Sequence, residues 1–538
     1  MRFHTSAISA GLLLGLGLAA IQPGDRWAGW LLFSLLFLGV LYSLRAVAFW
    51  AADLSRQPSA VSSLLALLYL AFFLRLAFGV ALYMGLPIGG HPNPQHQAGY
   101  IFFDSHRRDL QAWELAQSEA PLWNAFNKNF YSDQYGGLLA LLTLLYRYLS
   151  PDAHRPLLPV LFGAWVATLG AAFLWKASTH KWDQRLARLA TWIYALYPES
   201  LLLGSAQMRE PFLMAFVTIT MAGWVLAHER PTPTGPAKTT EREGWLWLLL
   251  GLLGMLIVSP AIALLTLILI AGWMWVTQEH RQLSWVMLAA AIVIFLAGVY
   301  LLAWGLERDQ PFGSSPFGTI LTWSRQAIRW DTYQLVRGSG WVQKLFQEMP
   351  EELHPLFVIL YGTTQPVLPS AFIEPTVPLL RALHIVRALG WYALVPLLFY
   401  APFAILRVER DASRRLWIWL LVITWIWILL CALRGGADVW DNPRYRVILI
   451  GVQAWVAAFA WLHRDRWLGR WLAAEAIFLI FFTQWYISRY YRLGPQLPFG
   501  LMILLIVLLA VGVFVGDWWW KRRSRRHTPN KHSGSRAD

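Results

Sequence analysis

Long apolar stretches recur along the whole chain, separated by short polar breaks. A membrane-spanning helix needs about 20 predominantly apolar residues. On that measure the sequence predicts fourteen spans, near 5–22, 27–50, 62–86, 157–176, 186–204, 209–227, 244–258, 260–277, 283–304, 384–406, 416–433, 446–462, 470–488 and 498–519. The expected fold is an all-α, polytopic transmembrane bundle of 13–14 spans with amphipathic helices lying along its outer face. The first stretch, Met1-Arg2-Phe3-His4 and then apolar residues to Ala20, has the outline of a signal peptide and reads as an uncleaved helix. The stretch 244–277 is read as two helices hinged at Ser259-Pro260, because one 34-residue helix exceeds a hydrocarbon layer of about 30 Å.

Charge orients this pattern. Cytoplasmic loops are enriched in Lys and Arg. If the tail Lys521-Arg522-Arg523-Ser524-Arg525-Arg526 is inside, counting back puts Arg464–Arg470, Arg407–Arg415, Glu279–Arg281, 228–243, Lys176–Arg185 and Ser55-Arg56 inside as well. Two long segments, 87–156 and 305–383, then face outward, and neither has the pattern of a folded domain. Loops that long are usually functional. Both carry aromatic, amphipathic pieces (Tyr135–Tyr148 and Trp323–Phe346), which suit a membrane surface. Reading Tyr135–Leu149 as a fifteenth span would reverse every later loop, so an interfacial helix is expected. The divisions are 1–61, N-terminal spans; 62–304, a core containing the first outer segment; 305–383, the second; 384–520, C-terminal spans; and 521–538, a basic cytoplasmic tail. Pro231–Pro236 reads as a flexible inner loop, and Gln365-Pro366-Val367-Leu368-Pro369 as a re-entrant element.

Composition agrees. The 538 residues are 57% hydrophobic and 14% charged, against roughly 25% charged in soluble domains. Mean hydropathy is +0.45. Thirty-three Trp, 19 Tyr and 29 Phe suit many membrane–water boundaries. The single Cys431 excludes an internal disulfide framework and a Cys-based zinc site. The net charge of +15 is explained by inner loops and implies no nucleic acid. No Gly-rich phosphate loop, nucleophile elbow or zinc-protease helix occurs, so a soluble nucleotide-sugar site is not supported.

Candidate chemistry gathers in the first outer segment, Tyr100-Ile101-Phe102-Phe103-Asp104-Ser105-His106-Arg107-Arg108-Asp109-Leu110-Gln111-Ala112-Trp113-Glu114. The spacing from Asp109 is helical, with Leu110, Trp113 and Ala116 on one face. Asp104 precedes the helix, either as its N-cap or as a general base for an incoming hydroxyl. Outer-boundary arginines (Arg434, Arg444, Arg446, Arg489 and Arg492) run against the positive-inside bias; they suit a phosphate or simple headgroup contact. Arg75 lies mid-span, where a charge costs at least about 2.5 kcal/mol, so a partner such as Glu199 or Glu210 is expected. Glu210 is a first-turn acid or a site residue. His91, His96 and His106 share the segment with Asp104, which makes a divalent metal a candidate, although Pro92 and Pro94 read first as extended loop.

These motifs resemble the GT-C superfamily of polytopic glycosyltransferases, most closely the bacterial branch with protein O-mannosyltransferases and the aminoarabinose transferases of lipid A. The resemblance lies in the Asp-containing outer helix, the apolar helix ending Leu145-Tyr146-Arg147-Tyr148-Leu149, the inner turn Lys181–Ala190, Tyr197-Pro198-Glu199-Ser200, Arg209-Glu210-Pro211 and Asn442-Pro443-Arg444-Tyr445-Arg446. It covers 62–230 well and 384–462 loosely. It implies a polyprenyl-phosphate sugar as donor, an inverting transfer to a glycan, lipid or protein acceptor outside the membrane, and a location in the inner or plasma membrane. It implies Asp104, with Asp109 and Glu210 as competitors, for catalysis, and Arg444, Arg446, Arg434, Arg489 and Arg75 toward the donor phosphate. The chain departs from the family where Ser105 stands beside Asp104 instead of a second acid, and where Arg108 replaces a frequent Tyr. Two further readings stay open. A lipid-linked oligosaccharide flippase would need a polar path and two similar halves. A polymerase or ligase would shift the chemistry to Arg325, Arg329, Arg337 and His354.

Overall fold

The computed structural model describes residues 2–52, 58–127, 130, 132–228, 237–278, 350–373, 376–436 and 438–526, with scattered positions between 293 and 333. Among the described residues the architecture is entirely helical. The elements are α1 (Arg2–Ile21), α2 (Arg26–Ala52), α3 (Pro58–Gly89), α4 (Pro94–Gln97), α5 (Phe103–Gln117), α6 (Gly137–Leu149), α7 (Leu157–Lys181), α8 (Gln184–Leu196), α9 (Pro198–Leu203), α10 (Glu210–His228), α11 (Ala237–Val258), α12 (Pro260–Thr277), α13 (His354–Thr364), α14 (Leu368–Ile373), α15 (Pro378–Ile405), α16 (Ala412–Gly435), α17 (Asp441–Arg446), α18 (Ile450–Leu462), α19 (Arg466–Tyr490) and α20 (Phe499–Arg526).

Eleven stretches among the described residues are long and apolar enough to cross a membrane, so this is a multi-pass membrane protein. They match eleven of the fourteen predicted spans. The other three fare differently. The stretch 186–204 is not one helix: α8 ends at Leu196, Tyr197 takes an extended ψ of 122°, and α9 restarts at Pro198. Proline clashes with a helical conformation in the residue before it. The stretch 244–258 belongs to the longer α11, which opens with charged residues and meets α12 at the expected Ser259-Pro260 break. The span at 283–304 lies mostly outside the described residues.

Side-chain bonds tie the loops into two groups, one at each end of the bundle. At one end Lys176 Nζ donates to Trp50 O at 2.7 Å, Arg407 pairs with Asp465 at 2.6 Å and Arg415 Nε donates to Val276 O at 2.8 Å. At the other, Arg155 Nη2 donates to Asp25 O at 3.1 Å, Gln207 Nε2 to Pro156 O at 2.7 Å and Tyr491 Oη to Ile373 O at 3.3 Å.

The segment 87–156 carries the helices expected of it, but its described residues also pack together, which was not expected. It is a packed layer with its own buried polar centre. Asp109 is buried and accepts from Tyr100 Oη at 2.5 Å and Tyr146 Oη at 2.6 Å, and its Oδ2 lies 2.7 Å from His154 Nε2. Burial, and then the charge of Asp109, push both phenols well above the ordinary tyrosine range, so they stay protonated donors. Arg147 donates to the carbonyls of Leu115, Ser118 and Ala120, closing the end of α5. The buried stripe of α5 is Ser105, Arg108, Asp109, Ala112, Leu115 and Ala116, while Leu110 is exposed. At 13 residues, or about 20 Å, α6 is too short to span, as expected. Asp133 Oδ2 caps it by accepting from the amides of Leu138 and Leu139 at 2.9 and 3.1 Å. Gly136 precedes it with φ of 77°, a conformation that favours glycine.

The run around Gln365, expected to be re-entrant, folds back on itself within the bundle. Helices α13 and α14 meet at Gln365-Pro366-Val367, level with Trp391 and Tyr392, halfway along the spanning α15. Carbonyls at a helix end have no intrahelical partner, and exposing them to hydrocarbon costs several kcal/mol each. Here four successive carbonyls receive side-chain donors. Gly362 O accepts from Asn442 Nδ2 at 2.7 Å, Thr363 O from Trp391 Nε1 at 2.9 Å, Thr364 O from Tyr392 Oη at 3.3 Å and Gln365 O from Arg446 Nη2 at 2.8 Å. Arg446 also lies 3.4 Å over the Trp391 ring, and its charge faces the negative end of α13. Replacing Arg446 with Met leaves Gln365 O without that donor. The expected loss is about 1–3 kcal/mol of stability, read as a lower unfolding temperature of the detergent-solubilised protein.

Candidate active site

At the end opposite the basic loops, three chain segments converge on one arginine. Helix α17 begins after a turn held by Asp438, whose Oδ1 accepts from the amides of Trp440 and Asp441 at 2.6 and 2.9 Å. That turn places Arg444, nearly fully buried, among three carboxylates. Its Nε donates to Glu210 Oε1 at 2.7 Å, and its Nη1 lies 3.1 Å from Asp441 Oδ1 and 3.4 Å from Asp104 Oδ2. Each acid sits in the first turn of its own helix: Asp104 in α5, Glu210 in α10 and Asp441 in α17. Carboxylates are favoured there by the positive helix end. Arg209 adds a second cation 3.8 Å from Glu210.

The three acids differ in access. Glu210 is fully buried, Asp441 is 34% exposed and Asp104 is 51% exposed. Asp104 lies inside the first turn of α5 and is not its cap, a position held by Phe102. Asp104, Asp441 and Arg444 line a cavity of about 440 Å³. Phe102, Trp440 and His384 contribute an aromatic lining, and His91, His96 and Asn93 a polar one.

The structure thus brings Asp104, Glu210 and Arg444 together, and it separates other expected residues from them. Asp109 faces the Tyr100–Tyr146–His154 centre. Arg446 caps α13. Arg489 packs on Trp485 at 4.9 Å, and Arg434 lies 5.9 Å from the Tyr445 ring. Arg75 corrects the expected ion pair: it donates to Ser200 Oγ at 2.8 Å and Ala71 O at 3.0 Å. Glu199 is instead held bidentately by Arg387, at 2.7 and 3.0 Å. Gly204 leaves the space Arg75 fills, since a Cβ there would sit 2.6 Å from Arg75 Cδ. Arg325, Arg329 and His354 do not line the cavity, and Arg337 is outside the described residues.

The histidines divide as well. The His91 amide donates to His96 Nδ1 at 2.9 Å, which assigns the His96 proton to Nε2. Burial and then His91 push the His96 imidazole below its ordinary range, so it stays neutral. His106 packs against Tyr100 at 4.8 Å, away from the cavity lining. Among the described residues no group of three His, Cys, Asp or Glu side chains is placed to hold a metal ion. Sequence reasoning missed Asp441, Trp440, His384 and Arg387. Asp441 precedes Arg444 by three, the spacing of a helical ion pair, and that signal was available.

No protein-family model and no curated protein matches the chain. The structure is similar to the crystal structure of the Archaeoglobus fulgidus oligosaccharyltransferase tethered with an acceptor peptide containing the NVT sequon via a disulfide bond. That likeness has a TM-score of 0.38 and 12% identity over 84% of this chain and 53% of that one. The chain therefore spans about half the length of that protein. At such distance the chemistry must be argued from the side chains.

The arginine cluster makes a non-additive prediction. Arg444→Met leaves Glu210 buried without its closest cation, an expected loss of about 3–5 kcal/mol. Adding Glu210→Gln removes the stranded charge. The double variant is expected to unfold at a higher temperature than Arg444→Met alone, measured in detergent on both proteins.

Proposed function

We propose that the chain is a membrane glycosyltransferase that moves a sugar from a polyprenyl-phosphate donor to an acceptor hydroxyl at the cavity beside Arg444. One observation carries the reading: Asp104 presents a half-exposed carboxylate to that cavity while sharing Arg444 with two less accessible acids. A carboxylate so placed is both accessible and oriented, as a general base must be. In an inverting transfer, Asp104 takes the acceptor proton and the acceptor oxygen bonds to the anomeric carbon. The bond from that carbon to the phosphate oxygen breaks with its electron pair, releasing lipid phosphate. Arg444 orients Asp104 and supplies positive charge near the leaving group. Arg209, 3.8 Å from Glu210, is the second cation of this corner.

The basic loops at the opposite end support an inner- or plasma-membrane orientation with the C-terminus in the cytoplasm and the cavity outside. The resemblance of Asp104, Arg209-Glu210 and Asn442-Pro443-Arg444 to GT-C motifs agrees with this reading. A polymerase or ligase centred on 305–383 has less support: Arg325, Arg329 and His354 do not line the cavity.

The test is consumption of radiolabelled polyprenyl-phosphate sugars by the purified protein in lipid vesicles. Asp104→Asn is expected to slow transfer by about a hundredfold or more. Full activity in that variant would remove Asp104 as base. Asp109→Asn is expected to lower the unfolding temperature and to keep transfer at temperatures where it stays folded, because Asp109 serves the Tyr100–Tyr146–His154 centre. If wild type consumed none of the common donors, the enzyme reading would fail, and lipid-linked oligosaccharide flipping would be assayed in the same vesicles.

A further inference from the structure

The cavity wall formed by Trp440 and His384 has no part in proton transfer, yet it is built with care. Trp440 is held on several sides. The Arg387 guanidinium lies 4.3 Å from its ring, Phe102 meets it edge-on at 5.6 Å and His384 edge-on at 4.8 Å. Arg387 is itself immobilised by its two bonds to Glu199 and by a third, from Nη2 to Val439 O at 2.9 Å. Arg387 and Glu199 do not line the cavity; Trp440 and His384 do. A buried bidentate ion pair thus stands behind the indole as a fixed backing. His384 Nε2 is buried and, among the described residues, has no hydrogen-bond partner. A buried polar atom without a partner is unfavourable, and a ligand that bonds it relieves that cost.

We propose that Trp440 and His384 form a carbohydrate subsite, with the Arg387–Glu199 pair as its positioning device; the inference rests on the glycosyltransferase reading above. A pyranose ring carries apolar C–H groups on its face and hydroxyls at its rim. The indole face opposite Arg387 matches the C–H side. His384 Nε2 matches one hydroxyl, as donor or acceptor according to its tautomer. Pockets for small polar ligands commonly combine an aromatic surface with a few placed polar atoms. The carboxylates then stand on the charged side of the same cavity, where the transferring bond lies. The specificity this predicts is for a sugar ring with a continuous C–H face and a hydroxyl toward His384.

Binding can be separated from turnover. The full chain in nanodiscs is probed by saturation-transfer NMR with methyl glycosides of glucose, mannose and galactose. At least one is expected to show transfer to its ring C–H protons. The signal should persist in catalytically impaired Asp104→Asn, weaken modestly in Trp440→Phe, and fall in Trp440→Ala by up to about tenfold, the size of an aromatic stacking contact. His384→Ala should weaken it without abolishing it. Arg387→Met is expected to reproduce the Trp440→Ala loss in protein that remains folded, as checked by its unfolding temperature. No signal from any of the three glycosides, or signals indifferent to both Trp440→Ala and His384→Ala, would overturn the subsite. Parallel donor-consumption assays keep the two proposals apart. Active wild type without the stacking pattern sinks the subsite alone, whereas the pattern without donor consumption sinks the transfer reading alone.

Discussion

Arg444 is the interaction on which the cavity end of the molecule depends. A guanidinium removed from water is tolerated only if its charge is balanced and its donors are used. This one is balanced by acids from three segments far apart in sequence, Asp104, Glu210 and Asp441. Satisfying Arg444 therefore docks the layer 87–156 and the start of α10 onto the α16–α17 corner. Each acid brings a helix start with it, and each helix start favours the acid in return. Because Glu210 is closed off while Asp104 and Asp441 are partly open, the same device that holds the segments together leaves two carboxylates facing the cavity, Asp104 the more exposed.

The second constraint is backbone polarity at membrane depth. The pair α13–α14 enters the bundle and turns within it, which is tolerated only where the protein supplies hydrogen bonds. Two of the four donors, Asn442 and Arg446, come from the six-residue α17 that also carries Arg444. Residues two apart on a helix point to different sides. Arg444 turns to the acids and Arg446 to the α13 carbonyls. One short helix thus couples the cavity to the re-entrant pair, and what reads as a basic cluster in Arg444-Tyr445-Arg446 is two separate functions.

The spans were legible because hydropathy and loop charge are local signals, and α6 was legible because its length and flanking parity exclude a crossing. The break at Pro198 was legible in principle and was missed because the apolar run continues across it. The folded nature of 87–156 was not legible. Its centre joins Asp109 to Tyr146 and His154, 37 and 45 residues away, and such pairs leave no periodicity. Asp104 and Asp109 were competitors in sequence for the same reason. Five helical residues apart, they fall on different faces, and only the long-range partners show which face meets the cavity. Arg75 was rightly expected to have a partner, but every acid considered for it already had an arginine that no local pattern connects to it.

In the proposed reaction, in-line geometry divides the labour among these groups. A base works within about 2.6–3.2 Å of the acceptor oxygen, and that oxygen approaches the anomeric carbon at about 3–3.5 Å. The leaving phosphate departs from the opposite side, so it lies beyond the reach of the Arg444 nitrogen that is bonded to Asp104. Arg444 Nε and Nη1 are engaged by the acids. The far side of its guanidinium is the part left to meet the phosphate. Arg444 is then first the partner that aims the base and only second a ligand of the leaving group. Neutralising it would disturb proton abstraction even where phosphate binding survived.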